Sequence, residues 1–203
     1  MDVSARKKLT VFNARMITMT AMLSAISFVL AFMEFPVPLS PPFAKMDLSD
    51  FPALIGAFVF GPMAGLLIEF VKNLLQLFST STGGVGELAN FIIGSSFVFT
   101  AGLIYKSHKT RKVAYISCMI ASVVMGIVAA LMNYFVLLPL FESFMPLDQL
   151  IASFSTFIPF IRTKFDVVLF NAFPFNVLKG IGISLLTILV YKRISPILKG
   201  IRD

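Results

Sequence analysis

Glu69, Lys72, Asn73 and Gln76 stand at i, i+3, i+4 and i+7 within a long apolar run. That spacing puts all four on one stripe of a helix. An ionisable residue at membrane depth costs several kcal/mol, so such a group faces protein or a wet cavity and marks function by default. Other polar residues interrupt apolar runs in the same way: Glu87 with Asn90, Asn133, and Asn176 with Lys179. Carboxamides pair with both edges of an amide-like heterocycle, and lysines donate to carbonyl or hydroxyl oxygens. No arginine is among them to fork a phosphate, so the set suits a neutral ligand with many donors and acceptors. The plainer reading is that Glu69 and Lys72 neutralise one another and the amides only hold helices together.

The elements that position these residues must be membrane helices. Hydrophobic residues are 58% of 203 positions and charged ones 13%, half the charge of an average soluble domain. Apolar segments lie near 14–33, 51–61, 62–80, 88–105, 113–140 and 167–191, and several approach the ~20 residues that cross a bilayer. The whole chain, 1–203, reads as a single all-α transmembrane domain with six spans. The second span is the short one, since eleven residues reach only about 17 Å. It can begin at Ser49 or Asp50, either of which could cap it, with Pro52 in the first turn. Between spans lie a Pro-rich loop from Glu34 to Asp50, the Gly61-Pro62 break, a Ser/Thr/Gly loop from Ser79 to Glu87, a basic loop from Lys106 to Lys112, and a mixed stretch from Glu142 to Lys164 that suits an interfacial helix.

Charge placement orients the spans. Twelve of seventeen basic residues fall in three clusters: Arg6, Lys7, Lys8, Arg15; Lys106, Lys109, Arg111, Lys112; and Lys192, Arg193, Lys199, Arg202. All three are cytoplasmic only if even numbers of spans separate them, which requires Gly61-Pro62 to divide a pair of helices and not kink one. Both termini are then inside, with Arg162 and Lys164 on the outer side. Clusters separated by apolar runs do not make a nucleic-acid face despite the +7 charge. The run from Met16 to Met33 is too long for a signal segment and reads as a retained span. In this orientation Asn133 lies ~10 Å, and Asn176 and Lys179 ~14–18 Å, below the outer ends of their spans. Lys72, Asn73 and Gln76 fall in the outer half, so the polar groups are expected at one level, open outward.

Lone Cys118 and His108 offer no disulfide or metal spacing. No phosphate-cradling GxxxxGK[ST] loop, HExxH or GxSxG is present. Six spans without a visible repeat are fewer than rocking-bundle transporters need, so a transport function would borrow its energy from partners. Ala21 and Ala25, with Ser24 beside them, form a small-xxx-small pattern that admits a close partner helix or serves packing within the chain.

The stretch Lys45-Met46-Asp47-Leu48-Ser49-Asp50-Phe51-Pro52-Ala53-Leu54-Ile55-Gly56, the Gly61-Pro62 break, the Glu69–Gln76 stripe, Asn133-Tyr134-Phe135 and Pro174-Phe175-Asn176-Val177-Leu178-Lys179-Gly180 together resemble the riboflavin-specific S components of energy-coupling factor (ECF) transporters. The resemblance spans nearly the whole chain. It implies a non-enzymatic, multi-pass protein of a prokaryotic cell membrane, with riboflavin as transported ligand and no cofactor. A transmembrane coupling protein and two ATPases would be its partners. It further implies that Ala21 and Ala25 dock the coupling protein, and that the loop from Glu34 to Asp50 folds over the site, with Lys45, Met46 and Asp47 near the ligand. Asn133, Asn176 and Lys179 would grip the polar edge of the isoalloxazine ring. Lys72 belongs to the same binding set, and Asn73, Gln76, Glu87 and Asn90 would serve the ribityl hydroxyls. Some relatives carry aspartate where this chain has Asn176. Rival readings are an S component for another vitamin, a membrane enzyme with Glu69 and Lys72 as acid and base, and an assembly subunit without a ligand.

Overall fold

The computed structural model describes residues 14–36, 45–80 and 82–199. Arg6, Lys7, Lys8, Arg202 and the middle of the expected lid loop lie outside the described residues, as do the side chains of Lys45, Lys192 and Lys199. In chain order the helices are α1 (Ala14–Ala31), α2 (Asp50–Phe60), α3 (Pro62–Gln76), α4 (Val85–Ser107), α5 (Arg111–Met132), α6 (Leu138–Glu142), α7 (Leu147–Ser155), α8 (Lys164–Val167) and α9 (Phe173–Lys199). A one-turn 3-10 segment, Leu77–Ser79, ends α3. The only strands among the described residues form a two-residue antiparallel ladder, β1 (Phe35–Pro36) with β2 (Lys45–Met46), which ties together the ends of the loop before α2.

Among the described residues four helical stretches are long and apolar enough to cross a membrane: Ala14–Ala31, Val85–Ser107, Arg111–Glu142 and Lys164–Tyr191. Their outward residues, among them Ile17, Val29, Leu103, Met119, Leu131, Leu185 and Leu189, are exposed hydrophobics, a belt far larger than a soluble surface tolerates. The short helices α2 and α3 are held differently. Gly61 takes φ 105°, a backbone that only glycine adopts cheaply, and Pro62 starts α3 where its missing N–H costs nothing. The chain therefore reverses. A Cβ on Gly65 would lie 2.7 Å from the Ala57 Cβ, and Lys72 reaches Asp50 at 2.8 Å. The two helices thus run antiparallel, and Gly61-Pro62 is a boundary between helices and not a kink within one.

Helix α2 is the centre of the molecule. Ala53, Leu54, Ile55, Ala57 and Phe58 are each at most 1% exposed, packed with Ile68, Phe97, Val98 and Met125. Burial on every side, and not its length, stabilises this eleven-residue helix. Ser49 stands at its N-cap position but makes no capping hydrogen bond, so the expected cap is not formed by Ser49. Asp50 is the first helical residue and turns to two lysines instead.

Among the described residues two π-turns, unforeseen in the sequence, interrupt the long helices: Asn133–Leu137 between α5 and α6, and Val168–Ala172 between α8 and α9. Beyond them Leu138, Leu150, Phe154, Ile161, Val167 and Val168 form a second small core under α7. Lys164 is paired there with Glu142, which neutralises its charge locally.

Candidate functional site

A charged floor lies where α2, α3 and α9 meet. Lys72 Nζ is 2.8 Å from Asp50 Oδ1 and 2.6 Å from Glu69 Oε2, with all three side chains at 0% exposure. It also donates to Ser49 Oγ at 3.0 Å. Lys179 Nζ, 6% exposed, is 3.0 Å from Asp50 Oδ2 and 3.4 Å from Asp47 Oδ2. Asp47 Oδ1 meanwhile accepts from the Ser49 N–H at 2.7 Å, and the Ser49 carbonyl accepts from Ser27 on α1. Three carboxylates and two ammonium groups thus share one buried cluster, with Asp50 bridging both lysines. Removing one partner of such a cluster costs far more than the cluster contributes net, because it strands the other charge away from water.

The expected pairing of Glu69 with Lys72 is present, but Asp50 joins it. Read from sequence as a possible cap, Asp50 is the site residue that sequence reasoning missed. The available signal was its position at the start of a wholly apolar helix. Gly94 is the other. A Cβ there would lie 2.6 Å from Glu69 Oε2 and 3.3 Å from Asp50 Oδ1. Only glycine lets α4 lie against the carboxylates.

Two polar ladders rise from this floor. On the first, Asn73 lies one turn beyond Glu69, its Nδ2 donating to the Glu69 carbonyl at 2.8 Å, and Asn90 Nδ2 donates to Asn73 Oδ1 at 3.1 Å. Gln76 and Glu87 stand one turn further out on the same helices. Glu87 Oε2 accepts from the hydroxyls of Thr80 at 2.9 Å and Thr82 at 3.1 Å, which pins the loop between α3 and α4. Gln76 Oε1 and Glu69 Oε1 are buried without a hydrogen-bond partner among the described residues. A cavity of about 150 Å³ opens beside this ladder, lined by Asn73, Glu87, Phe70, Phe91, Leu74 and Leu77.

The second ladder is on α9 and α5. Asn176 stands one turn above Lys179, and its Nδ2 donates to the Ala172 carbonyl at 2.9 Å, inside the π-turn. Asn133 opens the other π-turn and donates to the Ala129 carbonyl at 2.8 Å. π-turns free backbone carbonyls from the regular ladder and rotate the residues around them, which is why they recur at functional sites. Each amide uses one donor on its own helix and keeps its oxygen for another partner.

The expectation of one common level is corrected here. Helices α5 and α9 pack with Gly126 against Val177, and Asn133 is seven residues further along α5. At 1.5 Å per residue Asn133 stands about 10 Å further from the charged floor than Asn176. The polar groups form a stair and not a ring. Lys179, expected at the ring edge, is paired with two carboxylates. On α1, Ala21 and Ala25 face outward, whereas Ser24 does not stand beside them: it is buried and donates to the Thr20 carbonyl. Met46 lies in β2 and is half-buried.

Comparison with known proteins agrees with this architecture. A family described as "ECF transporter, substrate-specific component" matches residues 15–191. The chain is 40% identical over 200 residues to the riboflavin transporter RibU of Staphylococcus aureus (strain TCH60), covering 98% of this chain and 100% of that one. It is 33% identical to the riboflavin transporter FmnP of Bacillus subtilis (strain 168), covering 91% of this chain and 94% of the relative. A solved structure described as the S component of a bacterial ECF transporter superposes with a TM-score of 0.73 at 39% identity, covering 91% of this chain and 97% of the other. A multi-pass apolar bundle, a polar stair ending on a buried charge cluster, and a match along almost its entire length have one meaning: the chain belongs to the substrate-specific components of the ECF transporters.

Proposed function

We propose that this chain captures riboflavin from outside a prokaryotic cell and delivers it inward together with an ECF coupling protein and two ATPases. The observation that carries this reading is the 40% identity, along 98% of the chain, to a relative named riboflavin transporter. The site's chemistry supports it. Riboflavin joins a planar ring with an amide-like edge to a neutral polyol, and the stair offers carboxamides on one side and a mixed amide and carboxylate ladder on the other.

In this reading Asn133, Asn176 and Lys179 hold the ring edge, with Lys72 fixing the floor beneath. Asn73, Gln76, Glu87 and Asn90 receive the ribityl hydroxyls. Lys45, Met46 and Asp47 belong to the covering loop. Asp50 sets the position of both lysines. The chain crosses the membrane six times with both termini inside, α2 and α3 counting as separate spans. Ala21 and Ala25, exposed on α1, take the coupling protein; small residues there let a second helix approach closely. The family consists of transporter components, so Glu69 and Lys72 are read as structural charges and not as an acid and base.

Titrating the detergent-purified chain with riboflavin and following flavin fluorescence tests the proposal. Saturable, stoichiometric quenching that thiamin and biotin do not compete away is expected. Folded, flavin-free protein that gives no quenching would transfer the assignment to another vitamin.

A further inference from the structure

A second cavity lies not at the polar stair but at the opposite end of the bundle. It measures about 300 Å³ and lies between the last turn of α4, the start of α5 and the late stretch of α9. Its floor is aromatic and apolar. The Phe58 and Tyr105 rings are 4.3 Å apart, and Tyr191 stands edge-on to both, at 5.6 Å and 5.8 Å. Tyr105 donates its hydroxyl hydrogen to the Tyr191 oxygen at 3.2 Å. The Tyr191 hydroxyl hydrogen is therefore free to serve another acceptor.

The walls are asymmetric. On the loop side Lys109, Thr110 and Arg111 line the mouth, all exposed, and among the described residues no acidic one lines the cavity. On the bundle's outer side Tyr115, 51% exposed, and Leu189, 76% exposed, open it toward the apolar belt. An occupant must be anionic at one end and apolar at the other. A free anion would leave the apolar wall uncovered, and an acyl chain alone would leave two cations unpaired.

We propose that this cavity holds the phosphate headgroup of an anionic phospholipid, with Lys109 and Arg111 on the phosphate and the first acyl carbons along Tyr115 and Leu189. The arginine suits phosphate oxygens bidentately, and tyrosines at a membrane surface pair an apolar ring with a wet hydroxyl. The Tyr191 hydroxyl is placed to donate to the same headgroup. Such a lipid anchors the basic end of the bundle at the membrane surface, at the far end of the molecule from the polar stair.

The test is mass spectrometry of the intact, detergent-solubilised chain titrated with phosphatidylglycerol, phosphatidylcholine or inorganic phosphate. One phosphatidylglycerol should bind per chain saturably, and phosphatidylcholine clearly more weakly. At about fivefold per basic residue near a membrane surface, K109Q/R111Q should weaken phosphatidylglycerol about thirtyfold. The control K106Q/K112Q removes the same charge beside the cavity and should change binding only a few-fold. Riboflavin quenching by both variants reports that they are folded. Equal retention of the two lipids, equal losses in the two double variants, or displacement of the lipid by phosphate alone would each overturn the proposal.

Discussion

Asp50 is the common partner of Lys72 and Lys179 at the buried floor. Asp50→Asn keeps the shape and removes the charge, leaving two ammonium groups facing a lone Glu69 and a more distant Asp47. We expect a loss of about 3 kcal/mol, the scale for breaking a buried ion cluster. A lowered thermal midpoint in detergent measures it, and a midpoint equal to the native chain's would show that Asp50 is not the bridge. Asn176 is a different case. Its truncation to alanine removes a neutral hydrogen-bonding group worth about 1 kcal/mol, so riboflavin should bind about fivefold more weakly while the thermal midpoint hardly moves. Equal affinity for Asn176→Ala and the native chain would take Asn176 out of the site.

Elements meet here through small residues. Gly94 brings α4 against the carboxylates of α2 and α3, where any Cβ would lie within 3 Å of Glu69 Oε2. Gly94→Val should cost about 1–3 kcal/mol by overpacking, lower the thermal midpoint, and weaken riboflavin binding by displacing Asn90 from Asn73. Retained stability would mean that α4 can shift without loss. Helix α1 offers a contrast, since Ala21 and Ala25 point away from the bundle. Replacing both with leucine should leave riboflavin quenching unchanged and abolish uptake by cells that carry the coupling protein and ATPases. Uptake at the native rate would move the docking surface elsewhere.

At the scale of the molecule, the antiparallel α2–α3 hairpin reverses the chain within the bundle and makes six crossings consistent with the three basic clusters. Cys118 is buried, so replacing it with alanine gives a background for single-cysteine labelling. On intact cells a membrane-impermeant maleimide should label a cysteine placed at Thr82 and fail to label one placed at His108 until the cells are opened. The reverse pattern would invert the orientation, and labelling at both sites on intact cells would mean that α4 does not cross the membrane.

The sequence by itself determined the apolar spans, the break at Gly61-Pro62, the Glu69–Gln76 stripe and the family likeness, because each is written in local periodicity, in proline and glycine chemistry, or in residue order. What only the tertiary structure decided depends on groups distant in sequence meeting in space. Asp50 became a bridge and not a cap because Lys179, far along the chain, packs beside it. Lys179 pairs with Asp47 as well as Asp50 for the same reason. Ser24 turned inward because the rotation of α1 is set by what it packs against, and not by its own composition. The π-turns at Asn133 and Val168 left no propensity signal, since one extra residue per turn is settled by the packing of neighbouring helices. The stair replaced a level ring because the α5–α9 register is fixed by Gly126 against Val177, a contact that no count of residues from a membrane surface can supply.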